Sequence, residues 1–482
     1  MDSPLDFLSG FIQDYKECNT PAFVLPTGEI ITHKTFWRCV FGLIHQFETK
    51  GMVAGNYIAV ELDNGIEFIL SYFACLIGGF TIVPVNSSLP EVDKKYIKQI
   101  VSPHLLITSK REFDFTAEKA VPEKIFLVDS RAIFGVFFTS GTTDKPKGVA
   151  HYTETMLANA LAFNRLVDFD KNVRMLHVLP MGYMAGFLNT VLCPILAGGT
   201  VIIGAKFSGQ QALKFWQPAQ KYNVNTMWLT PTMVAVLSRL TRNRELPKWT
   251  KEHLKYVFVG TAPLPSATKE AFETKFHTPC LESYGLSELL FVTSNHRNNE
   301  IRSNSVGQFL DGIQLETRTQ SGHSLPVGEE GAIWLKTPYA LAGYLNPDDN
   351  QIISPLQDGW FPTGDVGYLD ADNYLYITGR LKDLIIHGGV NVSPRAVEER
   401  LLHYPGILHV AVIGRPHAVW GEEIVACLVI DLNQEVDLGE LKRYCQENLQ
   451  PDAVPSEFKI LAELPRSSTG KIQKNQLREL LT

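Results

Sequence analysis

An apolar helical segment, a Gly-Gly pair and an apolar strand follow one another twice in this sequence, and no other feature constrains the fold as much. One Gly-Gly pair, at 78 and 79, precedes apolar residues 80–85, and the other, at 198 and 199, precedes apolar residues 200–203. Two α/β units with parallel sheets covered by helices would produce both copies. Glycine between a helix and a strand is also common without duplication, so the duplication itself stays open. The predicted fold class is α/β.

The length and composition describe an ordinary globular protein with more than one domain. The chain has 482 residues, 45% of them hydrophobic and 20% charged, and this length suits roughly two to four domains. The net charge of −7 argues against a non-specific nucleic-acid binder. The sequence carries no signal for the oligomeric state.

The seven cysteines are scattered, and none stands in a CxxC pair. Neither a zinc site nor a disulfide framework is therefore indicated, and reduced thiols in a cytoplasmic protein are expected. The N-terminal segment is acidic and has no basic n-region, so no secretory signal is predicted.

One stretch has to be weighed as a membrane span. Residues 68–85 carry no charge over 18 positions, which approaches the length needed to cross a bilayer. Gly78, Gly79 and Pro84 interrupt the stretch. We predict a buried helix that ends near Ile77 and a strand that starts at Phe80, and no transmembrane segment.

The chain divides into a large and a small region. Strands are predicted at 57–62, 105–108, 125–128, 133–138 and 256–259, and residues 328–375 suggest a small β-rich subdomain. A polar, charged segment follows the predicted strand 374–378. We predict an N-terminal domain over 1–379, a hinge over 380–383, and a small α/β C-terminal domain over 384–482.

Residues 137–148 read FFTSGTTDKPKG and carry the clearest chemical signal. An apolar strand ends there in a loop of small hydroxyl residues, glycine and lysine. Backbone N–H groups, hydroxyls and ammonium groups together suit a polyphosphate. The spacing of a Walker A loop is absent. A loop of this composition, considered alone, is more often a solvated turn.

Four further segments combine residues that a nucleotide site needs. They are 260–265 (GTAPLP), 282–288 (ESYGLSE), 360–365 (WFPTGD) and 465–471 (PRSSTGK). An aromatic ring can stack on a purine, and a carboxylate can bind Mg²⁺ or accept hydrogen bonds from ribose. Each segment alone also has an ordinary structural explanation as a turn, a core residue or a solvated charge.

In this order, the segments resemble the motifs of the adenylate-forming superfamily, which comprises acyl-CoA synthetases, nonribosomal-peptide adenylation domains and luciferases. The family's phosphate loop, roughly [ST]-S-G-[ST]-T-G-x-P-K-G, is matched by residues 139–148 except at Asp144. The motifs G-[AG]-A-P-L, Y-G-x-[TS]-E, T-G-D, G-R-x-[DK]-D-x-I and P-[RK]-x-x-x-G-K are matched at 260–264, 284–288, 363–365, 379–385 and 465–471. Six ordered motifs make the resemblance specific over essentially the whole chain.

The resemblance implies a two-step reaction. A carboxylic acid attacks the α-phosphate of ATP in the presence of Mg²⁺, which gives an acyl-adenylate and pyrophosphate. A thiol, of coenzyme A or of a phosphopantetheine carrier, then attacks the adenylate and releases AMP. The C-terminal domain of the family rotates between the two steps, so the small domain is expected to be mobile.

The resemblance also assigns roles to individual residues. The residues that would contact the phosphates are Thr139, Ser140, Gly141, Thr142, Thr143 and Lys147. The residues that would line the adenine site are Gly260, Thr261, Ala262, Pro263, Tyr284 and Gly285. Asp365 and Arg380 would bind the ribose. The catalytic residues would be Ser287, Glu288 as the Mg²⁺ ligand, and Lys471. Lys382 would be the hinge, and Gly388 and Gly389 would line the thiol tunnel.

The sequence departs from the family pattern at two places. Asp144 replaces a loop glycine, and a carboxylate near a triphosphate repels it unless the side chain points outward. In residues 180–186, Gly182 and Tyr183 stand where CoA ligases usually have an aromatic residue and a histidine. Gly182 and Ala185 are expected to leave space there.

The same segment predicts the acyl pocket. Its lining would be Tyr183, Met184, Ala185 and Phe187, although Met and aromatic side chains here also suit a plain core. No Asp stands in the region where enzymes for α-amino acids place one to bind the ammonium group. An uncharged small-molecule carboxylic acid is therefore favoured.

Three functions are weighed on this basis. The first is an acid–CoA ligase. The second is a stand-alone adenylating enzyme that loads an acyl or aryl group onto a separate carrier protein. The third is a degenerate nucleotide-binding protein without catalysis, which the motif residues Glu288, Asp365, Arg380 and Lys471 argue against.

Overall fold

A computed structural model describes residues 3–125, 129–139, 146–466 and 472–481. No helix in those ranges is long and apolar enough to cross a membrane. The predicted strand at 125–128 lies largely outside the described residues, as do Ser140, Gly141, Thr142, Thr143, Asp144 and Lys471.

The largest sheet is parallel at its centre. In spatial order its strands are Gln308–Phe309, Leu290–Ser294, Cys280–Leu286, Tyr256–Val259, Thr226–Leu229, Arg174–His177, Thr200–Ile203, Pro21–Val24 and Ile30–Thr32. The strands from Cys280–Leu286 to Pro21–Val24 pair in parallel, and both edges are antiparallel. The carboxyl ends of the parallel strands therefore meet at one edge, where ligands bind in open α/β sheets.

A second sheet carries the other Gly-Gly unit. Its order is Ile352–Ile353, Gly343–Leu345, Lys147–Tyr152, Ile133–Thr139, Thr81–Pro84, Tyr57–Val60 and Leu105–Ile107. Ile133–Thr139 and Lys147–Tyr152 form an antiparallel pair in which Thr139 stands opposite Lys147. The segment between them is the predicted phosphate loop.

Two smaller sheets complete the fold. The antiparallel sheet Gln314–Arg318, Gly331–Lys336, Phe361–Leu369 and Leu375–Arg380 is the predicted β-rich subdomain. Beyond it, Val390–Val392, Ile385–His387, Gly421–Ile430 and Ile407–His417 form the C-terminal sheet, with Glu457–Ile460 parallel to Gly421–Ile430. The hydrophobic clusters of this last sheet contain no described residue before Ile385.

Helices cover the sheets. In the N-terminal part they are Pro4–Tyr15, His33–Thr49, Ile66–Gly78, Glu91–Val101, Thr153–Val167, Met184–Phe187, Cys193–Leu196, Gly209–Ala212, Trp216–Lys221, Pro231–Leu240, Leu246–His253 and Ser266–Phe276. Those of the C-terminal part are Pro394–Leu402, Leu438–Asn448 and Lys474–Leu481. A π-helical turn spans Leu188–Leu192, and short 3₁₀ turns span Leu381–Asp383 and Pro451–Ala453.

The uncharged stretch 68–85 is a core element, as predicted. Every residue from Phe68 to Ile77 in the helix Ile66–Gly78 is buried. Gly79 ends the helix in the left-handed conformation, with φ of 72°, which a residue with a Cβ adopts at a cost. The strand Thr81–Pro84 follows in the second sheet, and its counterpart Thr200–Ile203 lies in the first sheet. The two Gly-Gly patterns thus belong to two separate α/β units.

Few polar contacts join the C-terminal part to the rest. The Glu399 carboxylate accepts from the Ser266 backbone N–H at 3.1 Å and from its hydroxyl at 2.8 Å. The Ser393 hydroxyl donates to the Thr378 carbonyl at 2.7 Å. These contacts orient the small domain beside the edge at which the parallel strands end.

Candidate active site

A cavity of about 630 Å³ lies where the two large sheets and the β-rich sheet meet. It takes residues from the ends of strands in all three sheets. The predicted residues that line it are Thr139, Lys147, Tyr183, Met184, Ala185, Thr261, Gly285, Ser287, Glu288 and Arg380. A separate, more open depression of about 760 Å³, near Arg165 and His296, contains none of the predicted residues. The structure thus brings five separated motifs to one cavity.

Asp365 and Arg380 form an ion pair beside this cavity. They stand opposite each other on neighbouring strands, and Arg380 Nε lies 2.7 Å from Asp365 Oδ1. The Tyr284 hydroxyl donates to Asp365 Oδ2 at 2.6 Å. Burial, and next the Asp365 carboxylate, hold the pKa of Tyr284 well above its usual value, so the phenol keeps its proton. Asp365 is only 2% exposed, and its position is fixed by two partners.

Ser287 and Glu288 follow the strand Cys280–Leu286 and face the cavity. The Glu288 carboxylate accepts from the Tyr344 hydroxyl at 2.9 Å. His151 Nε2 lies 2.6 Å from the Ser287 carbonyl oxygen and must donate to it, because a carbonyl only accepts. Burial lowers the pKa of His151 to about 4, so a neutral imidazole holds the backbone at Ser287.

Lys147 begins its strand at the cavity wall, and its Nζ lies 5.8 Å from the centre of the Tyr344 ring. Tyr344 therefore contacts both the candidate phosphate lysine and the candidate metal carboxylate. A cation over an aromatic face is attracted by the ring without being neutralised, so the ammonium charge stays available to an anionic ligand.

The segment after the strand Tyr256–Val259 approaches the cavity closely. Thr261 has a φ of 71°, which is strained for a residue with a branched Cβ. A Cβ at Gly260 would lie 3.0 Å from Ser283 Oγ and 3.5 Å from Trp228 Nε1, so glycine fits this position best. Gly260, Ala262 and Pro263 are not on the cavity wall.

The segment 180–186 differs in one respect from the sequence-based expectation. A Cβ at Gly182 would lie 2.5 Å from the Asn86 Cα, so Asn86 fills the space that was expected to be open. Tyr183, Met184 and Ala185 line the cavity. Phe187 is fully buried and stacks on Tyr72 with ring centroids 4.0 Å apart, so it lies in the core and not on the wall.

The predicted hinge and tunnel residues lie away from the cavity wall. Lys382 is exposed in the 3₁₀ turn Leu381–Asp383. Gly388 and Gly389 form the turn between Ile385–His387 and Val390–Val392, with φ of 59° and 85°. The Gly388 N–H donates to the Trp420 carbonyl at 2.9 Å, within the C-terminal domain.

Three of the described polar cavity residues were not predicted from the sequence. Asn189, Lys206 and Tyr344 line the wall. Asn189 carried a usable signal, because it interrupts a strongly apolar run after Ala185. Tyr344 carried none, since it lies 56 residues after the glutamate that it contacts.

Within the described ranges, no three His, Cys, Asp or Glu side chains cluster as a metal site. Glu288 nevertheless fits Mg²⁺, which usually binds one or two carboxylates together with substrate phosphates and water. Tyr344 holds Glu288 Oε1, and this contact leaves the other oxygen available to a cation.

Comparison with known proteins agrees with this geometry. The family model "AMP-binding enzyme" matches residues 12–132 and 117–345, and "AMP-binding enzyme C-terminal domain" matches 396–471. A sulfoacetate–CoA ligase of Cupriavidus necator is 29% identical over 463 residues, with 89% of each chain covered. An oxalate–CoA ligase of Arabidopsis thaliana is 28% identical, with 88% of each chain covered.

Solved structures agree over the full length. ATP-bound MatB from Rhodopseudomonas palustris has a TM-score of 0.90 at 25% identity and covers 99% of both chains. The o-succinylbenzoate CoA synthetase of Bacillus subtilis, with its acyl-adenylate intermediate, has a TM-score of 0.83 at 25% identity and covers 97% of both chains. The predicted fold class and superfamily are confirmed. The chain therefore belongs to the AMP-binding enzyme family.

Proposed function

We propose that this enzyme joins a small carboxylic acid to coenzyme A through an acyl-adenylate, with ATP as the energy source. The observation that carries the proposal is the convergence of five separated motifs on one cavity, with Asp365 held between Tyr284 and Arg380 at its rim. The names of the curated relatives support the acid–CoA class.

Different residues around the cavity would bind the phosphates, the ribose and the adenine of ATP. Lys147 and the hydroxyl of Thr139, both on the cavity wall, would face the polyphosphate. The Asp365 carboxylate would accept hydrogen bonds from the ribose hydroxyls, and the Arg380 guanidinium would donate hydrogen bonds to them. The segment from Gly260 to Pro263 would lie against the adenine. Preformed donors of this kind stabilise the charge that develops at the α-phosphate without reorganising.

Glu288 would hold Mg²⁺ together with the phosphates, and the ion would supply positive charge next to the polyphosphate. Tyr344 fixes the carboxylate, and His151 fixes the backbone one residue before it. The chain's own contribution is therefore to hold Glu288 and Ser287 in one place.

The second half-reaction would use a rotated C-terminal domain. Gly388 and Gly389 are exposed and do not line the cavity here, so they would reach a thiol tunnel only after the domain turns about Lys382. A few hinge residues are enough to absorb such a change. Lys471 would act in the first step and leave the site in the second.

The test is carboxylate-dependent exchange between ATP and pyrophosphate, followed by product analysis with coenzyme A and with a holo-carrier protein. We expect exchange with at least one acid and a thioester with coenzyme A. Lys471→Ala should abolish exchange and leave thiol transfer from a supplied acyl-adenylate largely intact. A thioester that forms only on the carrier would favour the carrier-loading alternative, and equal loss of both steps in the variant would contradict the rotation.

A further inference from the structure

We propose that Asn189 selects an acid whose carbon skeleton bears a hydrogen-bonding oxygen group, a hydroxyl, carbonyl or carboxylate, in addition to the carboxylate that reacts. The inference rests on the proposed function and names the substrate class of the same cavity.

Asn189 is a polar residue in a largely apolar segment of the chain, residues 184–192. It lines the cavity and is only 6% exposed. It lies in the π-helical turn Leu188–Leu192, between the short helices Met184–Phe187 and Cys193–Leu196. Single π-helical turns inside helical segments often mark functional positions, because they redirect one side chain.

The Asn189 amide has no hydrogen-bond partner within the described part of the chain. Trp228 Nε1 is inaccessible and has no partner among the described residues, but the polar atoms of Asn189 are not inaccessible. Because Asn189 lines the cavity, its amide faces the cavity. The other buried asparagines of this domain, Asn86, Asn159, Asn164 and Asn295, each have at least one side-chain hydrogen bond. Asn159 donates to the Phe291 carbonyl at 2.9 Å and accepts from the Phe291 N–H at 3.1 Å. A buried amide without partners destabilises the fold, so a ligand that pairs with it gains affinity.

The backbone next to Asn189 is fixed. The Thr190 hydroxyl donates to the Gly186 carbonyl at 2.7 Å, so it must accept the N–H of His177 Nδ1, which is 2.6 Å away. His177 Nε2 then accepts from the Asn64 amide at 3.2 Å. This chain of hydrogen bonds holds the π-helical turn, and Asn189 is preorganised toward the cavity.

The amide chemistry sets the class of acid. An asparagine side chain offers two N–H donors and one carbonyl acceptor, and the neighbouring wall residues Met184 and Met233 are apolar. A simple alkyl chain would leave the amide unpaired, whereas a hydroxyl or a second carboxylate would pair with it. Sites with such a buried polar group discriminate strongly against analogues that lack the matching group.

The experiment measures ATP–pyrophosphate exchange with butanoate, hexanoate and benzoate, each against the same skeleton bearing a hydroxyl or a second carboxylate. We expect the wild-type enzyme to favour an oxygen-bearing acid over its parent by tenfold or more in kcat/KM. Asn189→Leu should lower this ratio at least tenfold. Asn189→Asp should penalise the dicarboxylates more than the hydroxy acids, because it adds a like charge.

Thermal unfolding gives a readout independent of activity. Because the amide has no internal partner, Asn189→Leu should leave the melting temperature unchanged or raise it, whereas Asn159→Leu should lower it. An equal loss in both variants would overturn the inference, since Asn189 would then be structural. A wild-type preference for the parent acids, or a ratio unchanged in Asn189→Leu, would also overturn it while leaving the proposed function intact. No exchange with any acid would overturn the proposed function itself.

Discussion

Asp365 shows how much one side chain depends on its partners. Both carboxylate oxygens are held, one by Arg380 at 2.7 Å and one by the Tyr284 hydroxyl at 2.6 Å. The ion pair with Arg380 holds the charged carboxylate in place, and the hydrogen bond from Tyr284 fixes its rotation. This rotation decides where the remaining lone pairs of the carboxylate point.

Tyr284→Phe removes this second contact without changing the shape of the core. A hydrogen bond to a charged group contributes about 1.5–3 kcal/mol, so we expect the KM for ATP to rise by about tenfold to a hundredfold. The measurement is steady-state exchange at varied ATP. Tyr368→Phe is the matched control, because Tyr368 lies in the same sheet and stacks on Tyr376 away from the site. An unchanged KM in Tyr284→Phe would show that the phenol does not position Asp365.

The segment 180–186 is the element that makes this site unlike the family pattern. Gly182 packs against the backbone of Asn86, and Met181 is tied to Asn64 and Tyr72 by its N–H and its carbonyl. The turn at Asn86 thus occupies the space that an aromatic side chain at position 182 would need. The two elements form one packed unit.

Gly182→Ala places a Cβ 2.5 Å from the Asn86 Cα, and a backbone atom cannot move aside as a side-chain end can. Overpacking of this kind costs about 1–3 kcal/mol, so we expect a lower free energy of unfolding by denaturant and slower adenylate formation. Gly209→Ala is the control, since a Cβ there meets no atom within 4 Å. Equal stabilities of the two variants would contradict the packing.

At the scale of the whole molecule, buried histidines couple stability to pH. His33, His151 and His177 are 0% exposed, and burial lowers their pKa values to about 4, about 4 and about 3. The unfolded chain binds protons on these residues near pH 6.5, but the folded chain does not. Between pH 6.5 and 4 the unfolded state therefore binds more protons, and stability falls as the pH falls.

Each such histidine should lower the free energy of unfolding by about 1.4 kcal/mol for every pH unit that the pH falls within that window. The measurement is denaturant unfolding between pH 7.5 and 4.5. We expect His33→Gln to lower the dependence of the free energy of unfolding on pH by about 1.4 kcal/mol per pH unit in this window, the contribution of one proton. A stability that is flat from pH 7 to 5 would refute this coupling.

Sequence patterns predicted several elements closely. The strand Tyr256–Val259 has the predicted bounds, and Ile133–Thr139 extends its prediction by one residue. These elements have strong local signals: runs of apolar residues with the right period, bounded by glycine, proline or polar residues. The predicted roles of Lys382, Gly388, Gly389 and loop residues 140–143 stay predictions.

What the sequence determined alone was the family, the order of the motifs and the residues expected at each, because each motif is contiguous in the chain and its chemistry is local. Only the tertiary structure decided which of those residues share a cavity and what holds them. Tyr344 meets Glu288 across 56 residues, and His151 meets Ser287 across 136. Successive residues on a helix point about 100° apart, so Phe187 enters the core while Asn189, two residues later, faces the cavity. Side-chain direction depends on packing between distant elements, and no local pattern encodes it.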